Sequence, residues 1–142
     1  MKAIRIGVMG CASIADRMVI PAIKALDCYT LVAIASRSRE KAEKFALKFQ
    51  CEPVLGYQAL LDREDIDAIY MPLPTGLHFE WLSKAIDAGK HVLVEKSFAK
   101  NLTEAISLVE AACSRKLVVK ENYMFEYHSQ QSQVVNTIKD FA

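Results

Sequence analysis

The sequence predicts an α/β fold, a doubly wound parallel sheet with helices on both faces. Short β-branched runs alternate with longer stretches of helical periodicity, the pattern of βαβ units and of a parallel sheet buried on both sides. The first apolar run passes straight into a glycine-initiated turn and then a helical stretch. The 142 residues, 52% hydrophobic and 25% charged, suit one ordinary globular domain with a real core.

In chain order, strands are expected at residues 4–9, 31–35, 53–55 (a weak signal), 68–71, 91–94 and 117–119. Helices are expected at 14–25, 39–49, 77–88 and 103–114, with a short turn at 57–61. Ser13 suits the cap of the first helix, Asn101 or Thr103 with Glu104 that of the last of these, and Gly89 a left-handed close to the third. Past Val119 the chain is dense in aromatic and polar side chains, and an amphipathic helix starts at about Ser132 and stops at Ala142. No repeat or low-complexity tract divides the chain. Residues 1–120 read as one domain and 121–142 as the start of a connection to a second domain that this sequence lacks.

A formal net charge of +1, with scattered Lys and Arg, gives no footprint for nucleic acid or an anionic membrane. The N-terminal apolar run breaks too early for a secretory segment, and nowhere do 18 apolar residues follow one another, so a soluble, cytoplasmic protein is expected. Cys11, Cys28, Cys51 and Cys113 are widely spaced and form no C-x-x-C, which points to buried reduced thiols and to neither a metal site nor a disulfide framework.

The turn after the first strand, Gly10-Cys11-Ala12-Ser13-Ile14-Ala15, fits G-x-A-x-x-A where the dinucleotide fingerprint has G-x-G-x-x-G/A. Gly10 supplies the tight turn, the small Ala12 admits a pyrophosphate, and Ala15 allows close packing of helix on strand. At the end of the second strand an acidic residue would bind a free ribose 2′-hydroxyl. Here the chain reads Ala35-Ser36-Arg37-Ser38-Arg39, and Asp27, nearest to the usual spacing, precedes that strand. A hydroxyl and a guanidinium suit a 2′-phosphate, so NADP(H) is favoured over NAD(H), which stays open.

Ligands of open α/β sheets bind outside the carboxyl ends of the strands. After the fourth strand, Pro72, Leu73 and Pro74 build a rigid turn, and Thr75 can cap the helix that carries His78. His78 at this point reads as a helix residue bonded locally more readily than as a catalyst. After the fifth strand come Glu95 and Lys96. Lys96 either lends a proton or charge to a substrate oxygen or is an exposed side chain paired with Glu95.

These residues together resemble the family of glucose-fructose oxidoreductase, inositol dehydrogenase and the rhizopine-catabolism proteins. The resemblance rests on the Gly10 to Ala15 turn, Ala35-Ser36-Arg37, the Pro72 to His78 turn and above all His91-Val92-Leu93-Val94-Glu95-Lys96. It implies a Rossmann domain joined in other members to a C-terminal substrate domain, with Lys96 positioning substrate and cofactor and sharing in proton transfer. It also implies cofactor contacts from Gly10, Cys11, Ala12, Ser13, Ile14, Ser36, Arg37, Pro72, Leu73, Pro74, His78, Glu95 and Lys96. The segment from Glu121 and Asn122 through Phe125, His128 and Gln130 looks most like the nucleotide-sugar ketoreductases of that family. Three departures stand out: Ser97 where the family has Pro, which removes a restraint after Lys96, Ala12 for the second glycine, and the missing C-terminal domain with the Tyr or His that members use as acid/base partner.

The expected function is that of an NADP(H)-binding domain from an oxidoreductase that moves a hydride to or from a carbonyl or hydroxyl carbon of a sugar. The alternatives are a free-standing nucleotide-binding or redox-sensing module, and an inactive truncated fragment. Self-association through the C-terminal segment is a further expectation.

Overall fold

A computed structural model describes residues 3–140. β1 (Ile4–Met9) enters a helical stretch that opens with a π-type turn, Ala15–Val19, and continues as α1 (Ile20–Lys24). Then follow β2 (Tyr29–Ser36), α2 (Arg39–Phe49), β3 (Glu52–Leu55), α3 (Tyr57–Leu61) and β4 (Ala68–Met71). A 3₁₀ turn (Thr75–Leu77) leads into α4 (His78–Asp87), then β5 (His91–Glu95), α5 (Leu102–Ser114) and β6 (Val119–Asn122). A second 3₁₀ turn, Met124–Tyr127, and α6 (Ser129–Asp140) follow.

The six strands form one sheet in the order β3-β2-β1-β4-β5-β6, and each of the five pairings is parallel. This is the doubly wound Rossmann order, whose topological switch point lies between β1 and β4. Alternate side chains sort the core into two layers. Met9, Ala33, Ala35, Ile69, Met71, Val92 and Val94 join Leu60, Leu82, Ile86 and Leu108 of α3, α4 and α5. Ile6, Val8, Ile34 and Tyr70 join Ile20 and Ile23 of α1 and Phe49 of α2 on the other face. Gly7 has no room for a side chain, because a Cβ there would stand 2.8 Å from Ile66 Cδ1.

Several boundaries differ from the sequence expectations. The first helix is widened just ahead of Pro21, whose ring nitrogen has no hydrogen to donate and which stands at the start of α1. Its start carries no side-chain cap hydrogen bond, so Ser13 does not cap it. Residues 57–61 close into a helix, and α6 begins at Ser129 rather than at Ser132. The last strand runs past its apolar cue at 117–119 through Lys120 and Glu121 to Asn122, because β5 offers partners as far as Glu95. The expected close of the final helix at Ala142 lies outside the described residues. Asn101 caps α5 by accepting from Glu104 N at 2.9 Å, and Gly89 takes φ +72° just past α4. The four cysteines are free, but only Cys11 and Cys51 are partly buried; Cys28 and Cys113 are exposed.

Candidate dinucleotide site

The site forms where the switch point opens. Gly10 has φ +120°, a conformation that glycine alone adopts at low cost, and its N–H donates to Ala35 O at 2.9 Å. A Cβ on Gly10 would stand 3.1 Å from Leu73 Cδ2, so the turn after β1 packs tightly on the loop after β4. Ala12 and Ile14 are partly buried and Ser13 is exposed at the entry to the helix. Cys11 donates through its thiol to Lys41 O at 3.6 Å, which ties the turn to the first turn of α2.

Ser36 ends β2 almost fully buried, 6% exposed, and its hydroxyl accepts from Ser38 N at 3.1 Å. Ser38 caps α2, accepting from Lys41 N. Arg37 projects into solvent with no ion-pair partner among the described residues, whereas Arg39 leans on Glu43. The carboxyl end of β2 therefore offers a hydroxyl and an unpaired guanidinium. Burial pushes the Cys11 thiol up, against smaller opposing effects of Ser36 and Lys41, and raises Cys51 to about 11. Thiolate is the reactive form of cysteine, and these two thiols are held out of it.

The second half of the site lies outside β4 and β5. A cavity of about 560 Å³ is lined by Ile14, Pro72, Leu73, Glu95 and Lys96 together with residues 122–125. Pro74 is exposed just beyond it. Glu95 does not pair with Lys96: its Oε1 accepts from Tyr70 Oη and from Asn122 Nδ2, both at 2.7 Å. Burial and then the Glu95 carboxylate push the Tyr70 phenol well above its ordinary value, which keeps it a donor. Lys96 is exposed and, among the described residues, has no hydrogen-bonding or ionic partner. Ser97 is restrained by contacts on both of its backbone groups. Its carbonyl lies 2.7 Å from His78 Nδ1, its N–H donates to Thr75 Oγ1 at 3.4 Å, and Phe98 N donates to Glu121 Oε1 at 2.7 Å. His78 itself is fully buried and offers no atom to the cleft.

Of the expected residues, Ile14, Pro72, Leu73, Glu95 and Lys96 line one cavity, while Ser36 and Arg37 stand at the end of β2, the strand paired with β1. Tyr70, Glu121 and Thr75 act here without having been singled out for these contacts. Each works across a gap of 22 to 25 residues, which no local pattern marks. Among the described residues no three His, Cys, Asp or Glu side chains cluster to hold a metal, and no helix is long and apolar enough to cross a membrane.

A family model described as an oxidoreductase family with an NAD-binding Rossmann fold, Gfo/Idh/MocA, matches residues 4–123. The chain belongs to this family. A relative from Saccharopolyspora spinosa, dTDP-3,4-didehydro-2,6-dideoxy-alpha-D-glucose 3-reductase, is 49% identical over 133 residues, 94% of this chain and 40% of its own. The protein of the same name from Actinomadura kijaniata is 46% identical over 96% of this chain and 41% of its own. Among solved structures, KijD10, a 3-ketoreductase from Actinomadura kijaniata in complex with NADP and TDP-benzene, superimposes with a TM-score of 0.96 at 45% identity. That match covers 98% of this chain and 43% of KijD10. The chain therefore spans about two fifths of the length of these relatives.

Proposed function

We propose that this chain is the NADP(H)-binding part of a nucleotide-sugar ketoreductase of the Gfo/Idh/MocA family. The observation that carries this is one cavity lined by Ile14 of the Gly10 turn, Pro72, Leu73 and the unpaired Lys96, with Ser36 and Arg37 closing the strand paired to β1. The residues fit a dinucleotide. Gly10 leaves space that a side chain would fill against Leu73, and β2 ends on a hydroxyl and a free guanidinium with no carboxylate. Relatives at 46 and 49% identity are named as 3-reductases of a dTDP-sugar, and KijD10, at 45%, carries NADP. When bound, the nicotinamide would supply or accept the hydride.

This chain's own residues would divide the remaining work. Gly10, Cys11, Ala12, Ser13 and Ile14 would seat the pyrophosphate, with the helix start and its N–H groups facing the phosphates. Ser36 and Arg37 would hold the 2′-phosphate, since the planar fork of Arg matches phosphate oxygens two at a time. Pro72, Leu73 and Pro74 would wall the nicotinamide half and exclude water. Lys96, its neighbour Glu95 tethered by Tyr70 and Asn122, would present its ammonium to a sugar oxygen as hydrogen-bond and proton donor. Residues 1–120 would form the dinucleotide domain and 121–142 the start of the passage to a substrate domain, in a cytoplasmic enzyme.

Calorimetric titration tests the cofactor half of the proposal: NADPH binds more tightly than NADH, and equal affinities overturn the choice of NADP(H). The catalytic half is tested in the protein joined to a C-terminal domain of the family type. There Lys96→Ala lowers turnover of a dTDP-3-ketosugar far more than it lowers NADPH affinity.

A further inference from the structure

His78 is placed as no sequence pattern would suggest. It begins α4, is 0% exposed, and has one ring nitrogen on each of two loops. Nε2 lies 2.7 Å from Leu73 O, in the loop after β4, and Nδ1 lies 2.7 Å from Ser97 O, in the loop after β5. Both partners are carbonyl oxygens, and the imidazole stands within hydrogen-bonding distance of each, so that one ring bridges the two loops.

The two carbonyls are also well chosen. Leu73 is the residue whose side chain stands against the Gly10 turn, at 3.1 Å from where a Cβ would be, and it lines the same cavity as Lys96. Ser97 follows Lys96 directly. We propose that His78 is a positioning residue that sets Lys96 against the nucleotide turn, its ring spanning from Leu73 O in one loop to Ser97 O in the other. The inference rests on the reading of Lys96 given above and adds to it the group that fixes its distance from the cofactor. Thr75, in the loop after β4, also reaches across to Ser97 N at 3.4 Å, and Glu121 of β6 holds Phe98 N. His78 adds to these a shorter contact on each of the two loops, both 2.7 Å.

The test uses the 142-residue chain as it is. In His78→Gln, a single flexible amide no longer bridges the two carbonyls. NADPH affinity then falls about tenfold, while the affinity for 2′,5′-ADP, which lacks the nicotinamide half, stays unchanged. Equal losses for the two probes, or none for either, would show a role in stability alone and overturn the inference. Should the unmutated chain fail to bind NADPH, the functional reading falls first. The backbone amide signals of Gly10, Lys96 and Ser97 still decide the inference, since they shift together in His78→Gln if His78 ties these segments and stay in place if it does not.

Discussion

At the scale of single residues, the site combines groups that are free with groups that are held. Arg37 is exposed and unpaired, and a guanidinium on a phosphate makes charge-assisted bonds worth roughly 1.5 to 3 kcal/mol. Arg37→Ala should therefore weaken NADPH binding by about tenfold to a hundredfold and leave NADH nearly untouched, as read by calorimetry. Tyr70 is the opposite case, 1% exposed with its hydroxyl on Glu95. Its folded pKa is raised above the ordinary 10.0, so above about pH 10 the unfolded chain releases a proton that the folded chain keeps. Stability should then fall with rising pH, by up to about 1.4 kcal/mol per pH unit for this one group. Urea titrations from pH 9 upward should show that slope in the natural chain and a shallower one in Tyr70→Phe. The two kinds of residue were not equally legible. Ser36 and Arg37 could be found from the strand end that precedes them, a local feature. The Tyr70 to Glu95 and Phe98 to Glu121 bonds exist only because β4, β5 and β6 lie side by side, and nothing in the sequence near any of these residues announces a partner.

Elements were legible where periodicity and capping chemistry agree. β1, α2, β4 and α5 fall within a residue of their expected places, and α5 starts on an Asn101 side chain that accepts from Glu104 N. Asn101→Ala should cost about 1 kcal/mol in urea unfolding, whereas Ser13→Ala should cost almost nothing, because the first helix starts without a side-chain cap. A loss of equal size at both positions would mean that Ser13 does cap in solution. The elements misjudged share a cause, which is that their form is set from outside. The π-type turn at Ala15–Val19 precedes a proline within the helical stretch. The polar end of β6 is strand only because β5 pairs with it, Glu95 opposite Asn122. The turn between β1 and the helix is the most constrained junction. Gly10→Val would combine a positive φ with a clash against Leu73, so it should weaken NADPH and NADH alike, unlike the selective loss in Arg37→Ala. Titrating both nucleotides against both variants separates the shared pyrophosphate seat from the 2′-phosphate contact.

Over the whole molecule, the sheet and its two layers of helices form a complete dinucleotide fold, while the segment after β6 finds little to pack against. Met124 and Phe125 are 50% and 55% exposed, and Val134, Val135 and Ile138 leave one edge of α6 open. Exposed apolar groups close together promote association, so sedimentation of the 142-residue chain should show self-association that deepens with concentration. Replacing Met124 and Phe125 by Ser should weaken it. The same geometry bears on activity. Hydride transfer needs a substrate carbon held at near-attack distance, and such positioning contributes roughly 7 to 11 kcal/mol of the barrier lowering. In this chain the cavity beside Lys96 has walls on the nucleotide side, from Ile14, Pro72 and Leu73, and is closed on the other only by residues 122–125. On that side a sugar meets only Lys96, Glu95 and the side chains of residues 122–125. The 142-residue chain should therefore bind NADPH yet show no appreciable oxidation of it with ketosugars, polyols or nucleotide sugars, followed by the absorbance of the reduced nicotinamide. Joining a C-terminal domain of the family type should bring turnover that depends on Lys96. Robust turnover by the short chain would instead place the substrate grip within residues 121–142, where Tyr123, Phe125 and His128 would be the first side chains to replace.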